Sequence, residues 1–417
     1  LSLPVYTSEA AKKKIIIPFF TPFISPLIPS LMHLAGIDAD NLPISDSASC
    51  DWGLKYSNNE VCYPATLIVG DIVKAFRSGA YNPDTTCVAI TQTGGQCRAS
   101  NYLSLIRKAL IDNGYTNTPL VSIAFGSGID NYQPGFKVNW RKILPIILAS
   151  ILYSDCIAKF YYATVVRENK PEEAKRLRDL YLNTAQSVIQ RNRPDELYAY
   201  LALAADDFNQ ICRKEEHPKV GIVGEIFLKF HPFAQKHVTD WLVEQKIEVA
   251  FPMLIDFFMQ SFVNMKANKK SHLEKRPIPD FVINWLYKKA QKQLDKVNAI
   301  AGKFCYFTPF ENIFEKAELA QPVISLNAQF GEGWLIAGEM ATLASQGITH
   351  IVSLQPFGCI ANHIVEKGIE NKIKSIYSQL NILSLDFDSS VSDVNITNRL
   401  LLFINNIKTN SYESSGK

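Results

Sequence analysis

A chain of 417 residues exceeds one ordinary hydrophobic core and predicts two or three domains. With 47% hydrophobic and 20% charged residues, its balance is globular and excludes a disordered or fibrous protein. The net charge of +3, from 43 basic and 40 acidic residues spread along the chain, gives no electrostatic case for nucleic acid or an anionic membrane as partner.

The chain starts at Leu1 with neither an initiator methionine nor a basic-then-apolar leader, and residues 1–13 read as a linker, so a longer parent protein is expected. Residues 14–20 form a short β-branched apolar run, expected as a buried parallel strand. A helical stretch at 29–35 and a weaker strand near 41–44 follow. The spacing at 65–76 predicts an amphipathic helix stopped by Ser78-Gly79. A strand at 87–90, a helix at 101–113 and a strand at 119–125 continue an alternation of strand and helix.

From 140 to 217 apolar residues recur at three and four, which predicts a helical segment broken near Asn192-Arg193-Pro194. The apolar run at 143–153 is shorter than the ~20 residues that span a bilayer. Alternation then returns, with strands at 219–223 and 248–251, helices at 237–245, 256–266 and 279–300, and further strands at 323–326, 350–354 and 381–385. The expected fold class is α/β, with two doubly wound (Rossmann- or flavodoxin-like) domains at 14–139 and 218–408. A helical insert at 140–217 and a flexible tail at 409–417 complete the organisation. The two halves are not recognisable as repeats in sequence.

The eight cysteines form no CxxC and no zinc-knuckle spacing, which fits a reducing, cytoplasmic compartment rather than a disulfide framework. In doubly wound sheets ligands sit beyond the carboxyl ends of the strands. After the strand at Ile90 the loop runs Thr91-Gln92-Thr93-Gly94-Gly95-Gln96-Cys97, and after Leu354 it runs Gln355-Pro356-Phe357-Gly358-Cys359. A third loop, Asn58-Asn59-Glu60-Val61-Cys62-Tyr63-Pro64, also leads into a helix. A thiol at a helix start has a lowered pKa and free backbone N–H groups beside it. Thiolates from three loops could converge in the folded state, and such soft donors favour zinc or iron–sulfur. The alternative is that each is a small buried residue. Cys87 and Cys156 lie in apolar patterns, Cys212 lies near a helix end, and Cys50 and Cys305 have no glycine turn; these five are expected to be structural.

Glu225, closing the strand Gly221-Ile222-Val223-Gly224, and Glu332, between two glycines, are candidate catalytic carboxylates; a helix N-terminal carboxylate is the alternative. Arg98, Asn101 and His363 are candidates for substrate binding, the last one helical turn beyond Cys359; packing between the sheets is the alternative for the first two, and a capping or solvated histidine for the third. Gly94, Gly95 and Gly358 are candidate backbone positions around a cofactor, and Gly94, Gly95 and Gly224 suit close approach or positive φ.

The runs from Gly53 to Ala65 and from Ile90 to Tyr102, with Val220-Gly221-Ile222-Val223-Gly224-Glu225-Ile226, Gly331-Glu332-Gly333-Trp334 and Gln355-Pro356-Phe357-Gly358-Cys359, resemble one family in the same order. It is the carboxy-terminal part of the large 2-hydroxyacyl-CoA dehydratase activase-related proteins, also called CoA-substrate-specific enzyme activases. The resemblance covers roughly residues 14 to 400. It implies a relationship to the cluster-bearing subunits of the dehydratases and benzoyl-CoA reductases, where three cysteines per subunit hold a [4Fe–4S] cluster. It nominates Cys62, Cys97 and Cys359 as the ligands. An ATP-driven activase module, amino-terminal in the family, is the implied partner, and this chain has no glycine-rich phosphate loop of that type. One departure is local: between Tyr161 and Ala174 an Arg-Pro-Tyr-Glu-like run is expected, and the sequence has Val165-Val166-Arg167-Glu168-Asn169-Lys170-Pro171.

Three functions stay open at this point. The first is an iron–sulfur redox module acting on, or relaying electrons toward, an acyl-CoA thioester, as a dehydratase-like lyase or a reductase component of anaerobic metabolism. The second is a non-catalytic cluster carrier or docking module of the activase. The third is a nucleotide- or CoA-binding α/β protein with structural cysteines. Each is compatible with oligomerisation.

Overall fold

The computed structural model describes residues 2–58, 61–92, 97–124, 131–273, 278–390 and 392–415, with side chains through 407 (124 excepted). Strand β1 (Lys14–Ile17) forms at the first β-branched run, and its Ile15 and Ile16 are buried. Strands β2 (Ala39–Asn41), β3 (Thr86–Gln92) and β4 (Leu120–Ala124) join it in one parallel sheet of order β2-β1-β3-β4. Strands β5 (Lys219–Gly224), β6 (Glu248–Ala250), β7 (His350–Pro356) and β8 (Asn381–Phe387) form a second parallel sheet of order β6-β5-β7-β8. The protein is therefore α/β, with two four-stranded parallel sheets of the same strand order, compatible with a Rossmann-like fold.

By internal packing the chain divides into two compact units, Leu1–Ile157 with Arg176–Ala204, and Ala158–Lys175 with Ala205–Lys417. The helices Trp140–Thr164, Glu173–Gln190 and Pro194–Ile211 fill the segment expected to be helical, and the unit boundaries fall inside them. The break at Asn192-Arg193-Pro194 is present, with Asn192 at φ +54°, and a second break separates Thr164 from Glu173. At 25 residues Trp140–Thr164 is long and apolar enough to cross a membrane, beyond the short run read from sequence. Its most apolar stretch is 72% buried within the fold and its Asp155 is buried too, as in the core helix of a packed domain.

Four expectations are corrected. Residues 323–326 are not a strand: Val323 and Ile324 both donate their N–H to Ala320 O, so this short apolar run turns back onto the helix Ile313–Ala320. The start of the chain is not a loose linker, because Tyr6 and Ala10 are buried in the core of the first sheet with Ile15, Cys87 and Val121. The last helix, Asp393–Ser415, runs into the stretch expected as a tail. The helix expected to be amphipathic, Tyr63–Arg77, leaves only Lys74 and Arg77 unburied. Its second face is covered by Ser47–Tyr56, a helix with an Asp46–Ser49 capping box that periodicity did not reveal.

Candidate functional site

Each of the three nominated cysteines is an N-cap. Cys62 precedes the helix Tyr63–Arg77, Cys97 the 3-10 turn Arg98–Asn101, and Cys359 the π-helical turn Ile360–Glu366. None of the other five holds such a place. Cys50 and Cys156 lie inside helices and Cys87 inside β3. Cys212 forms an isolated bridge with Glu168, and Cys305 follows the helix Asp280–Ala301 and is exposed. An N-cap position turns a side chain toward the N–H groups of the first turn, and of the three only Cys97 uses it for a side-chain cap bond. Cys97 Sγ accepts from Ala99 N–H at 3.5 Å. The three are half-buried, whereas Cys87 and Cys156 are sealed in the core and burial pushes the Cys87 thiol up to about 11.

In the first unit the loops of Cys62 and Cys97 are tied together. Arg98 donates from its guanidinium to the Val61 carbonyl, and Cys62 Sγ lies 3.7 Å from Tyr102 Oη, on the turn after Cys97. Cys62 owes its place to the helix pair on either side of it. A Cβ on Gly70 would come 1.7 Å from Ser49 O and one on Gly53 2.0 Å from Thr66 O, so only glycines allow this seam. Arg98 is thus committed to a backbone carbonyl, while Asn101 is exposed at the end of its 3-10 turn. Gly94 and Gly95 lie outside the described residues.

In the second unit Cys359 follows β7 through Gly358, at φ +72°. His363 Nδ1 accepts the Gly358 N–H at 3.2 Å, its Nε2 faces Asp386 at 3.5 Å, and its ring packs on Phe357. His363 therefore braces the cysteine loop. Cys359 Sγ is 3.4 Å from Asn362 Oδ1, which the π-turn carries beneath it. Under that turn Gln355 donates to Glu366, and burial pushes the Glu366 carboxyl up to about 7.

Strand order reverses between β5 and β7, and there the two sequence-nominated carboxylates meet. Gly224, at φ +123°, lets β5 approach β7 so closely that a Cβ would lie 2.1 Å from Leu354 O. Glu225 N–H then donates to that same Leu354 O at 3.0 Å. Glu332 reaches in from its glycine turn, and its Oε1 accepts Ile226 N–H at 2.7 Å. Burial, then the neighbouring Glu332, push the Glu225 carboxyl up to about 8. Lys229 and Glu339, paired at 2.8 Å, lie buried beside them. Sequence reading missed this pair because nothing marks a lysine and a glutamate 110 positions apart as partners.

It also missed Arg167. This side chain is fully buried, bonds Glu248 Oε2 at 2.6 Å and the carbonyls of Ala163 and Glu215 at 2.7 Å each, and lies under the Tyr306 ring. The stretch around Arg167 thus pins the second unit together.

Cys62 and Cys97 belong to the first unit and Cys359 to the second. Among the described residues no three His, Cys, Asp or Glu side chains lie close enough together to hold a metal ion. No protein-family model matches the chain, and no curated protein matches it.

Proposed function

We propose that the chain is a [4Fe–4S] redox module of the 2-hydroxyacyl-CoA dehydratase type, with Cys62, Cys97 and Cys359 as cluster ligands. The observation that carries this reading is that these three alone among the eight cysteines are half-buried N-caps. By type the donors suit the group: three soft thiols, each at the start of a helical turn, with the Ala99 N–H already on the Cys97 sulfur. When bound, the cluster would supply one-electron transfer and, with three protein ligands, an open iron position. In this proposal the two sheets belong to doubly wound domains, an assignment supported by their shared order, which matches the first four strands of the flavodoxin type.

The chain's own residues have definite tasks. Arg98 fixes the Cys97 loop against the Cys62 loop, and His363 holds the Gly358–Cys359 turn. Glu225 and Glu332 place carboxyl groups at the carboxyl end of β5, where Glu225 N–H meets Leu354 O on β7, five residues before Cys359. An ATP-driven activase is the proposed electron donor and an acyl-CoA thioester the proposed acceptor, in a reducing cytoplasm. Dehydration or reduction of that thioester is the proposed outcome, with a non-catalytic cluster carrier as its rival.

Reduced-state EPR of anaerobically purified protein, titrated with acyl-CoA thioesters, tests this. A thioester-dependent change in the signal supports a substrate at the open iron. A cluster signal indifferent to every thioester makes the chain a carrier, and an iron-free, folded chain leaves the cysteines structural.

A further inference from the structure

Four carboxyl groups and two ammonium groups gather inside the second unit. Glu332, Glu339, Asp256, Lys229 and Lys316 are buried, and Glu225 is half-buried. Lys229 Nζ bonds Glu339 at 2.8 and 3.1 Å, and Lys316 Nζ bonds Asp256 Oδ2 at 2.6 Å. Lys316 also meets the half-buried Glu311 at 3.2 Å. Each ammonium is thus committed to a carboxylate of its own. Glu225 and Glu332 are held instead by backbone N–H groups, Leu228 N–H on Glu225 Oε2 at 2.9 Å and Ile226 N–H on Glu332 Oε1 at 2.7 Å. Both donors lie on one turn of the helix Ile226–Phe230, so two carboxyl groups crowd the same turn.

Fully ionised, this cluster would bury negative charge in excess of its two lysines, which a low-dielectric interior does not tolerate. His231, buried against Phe227, adds no positive charge, because burial, with His237 nearby, pushes its pKa down to about 3. We propose that Glu225 and Glu332 share one proton at neutral pH and hold it as a proton donor at the carboxyl ends of β5 and β7 in the second sheet.

The raised pKa of both groups, caused first by burial, agrees with this arrangement. Glu225 is the less buried of the two. In the step itself the carboxyl O–H breaks and a new O–H forms on the ligand's oxygen. Two carboxylates remain beside the Lys229 ammonium until one regains a proton from solvent. No electron moves in this transfer. The shared proton rests on two carboxyl groups that accept from one helical turn, and on the negative charge buried around them. The substrate class it implies, a thioester whose hydroxyl or carbonyl oxygen takes up this proton, rests on the proposed function.

The test is infrared titration of the intact chain, iron-loaded and iron-free, with Glu225→Gln, Glu332→Gln and, as a control for the other buried acid, Glu366→Gln. The expected result is a protonated-carboxyl C=O band at neutral pH that disappears as pH rises through about 8 and is missing in Glu225→Gln. In Glu332→Gln the remaining acid should titrate at lower pH, because the like charge is gone. The band should persist in Glu366→Gln and in iron-free protein, so a failure of the cluster assignment leaves this result untouched. A wild-type spectrum at neutral pH whose protonated-carboxyl intensity is unchanged by Glu225→Gln would overturn the proposal. So would a Glu225→Gln chain that does not fold, because glutamine mimics the neutral acid.

Discussion

At the scale of single residues, the buried ionisable groups separate into fasteners and site groups. Arg167 is a fastener: every arm of its guanidinium is engaged and its ion pair with Glu248 is closed off from water. Arg167→Met should cost roughly 3–5 kcal/mol, because it strands Glu248 with Lys219 alone at 3.3 Å, and chemical denaturation would read the loss. A cost below ~1 kcal/mol would mean that the pair contributes little. His363 is a local brace. His363→Leu removes the acceptor of the Gly358 N–H, an interaction worth about 1 kcal/mol. It should speed alkylation of Cys359 severalfold while the unfolding midpoint barely moves. An unchanged alkylation rate would show that the loop holds itself.

At the scale of elements, the strands were the legible part. β1, β3, β5, β7 and β8 lie where apolar runs predicted them; β3, β5 and β7 are buried nearly throughout, and such strands leave a continuous apolar signature. The run at 323–326 has the same look, and only the helix before it, which takes its N–H groups, decides otherwise. Helices without one clean apolar stripe were the illegible part. Ser47–Tyr56 buries only the small residues Ser49 and Gly53, while the residues of Trp334–Ser345 are buried nearly throughout. The seam between Ser47–Tyr56 and Tyr63–Arg77 carries a direct test. Gly70→Ala forces a methyl against Ser49 O and should cost roughly 1–3 kcal/mol or more. It should also loosen the Cys62 turn, so that Cys62 becomes more reactive to alkylating agents than Cys97. A neutral substitution would mean that the helices part at no cost.

At the scale of the whole molecule, the candidate site was legible as residue types and not as relationships. Glycine turns before Cys97 and Cys359 marked loops, and the structure adds that both follow the third strand of sheets with the same order, each ending near a buried glutamine, Gln92 and Gln355. Sequence showed no repeat because the likeness resides in strand order and strand ends, while the intervening helices differ in number and length.

The buried acids also set a pH dependence. Folded pKa values raised to about 8 for Glu225 and about 7 for Glu366 mean that the folded chain holds protons the unfolded chain releases above about 4.5. Their contribution is therefore present at low pH and lost as pH rises through the folded values. His231 works in the opposite sense, but its effect is complete by about pH 6.5. Between about pH 6.5 and 8 thermal stability should thus fall, at most by about 1.4 kcal/mol per pH unit for each group. Glu225→Gln should flatten the slope, and an equal slope in that variant would remove Glu225 from the account.

The central claim is that three particular cysteines hold a cluster. Its most direct test is iron and acid-labile sulfide per chain after anaerobic reconstitution, on wild type, on Cys62→Ala, Cys97→Ala and Cys359→Ala, and on Cys305→Ala as the exposed control. The account predicts about four irons and matching sulfide in wild type and Cys305→Ala, with a clear loss in each of the other three. Wild type without iron, or iron that survives all three substitutions, would contradict it.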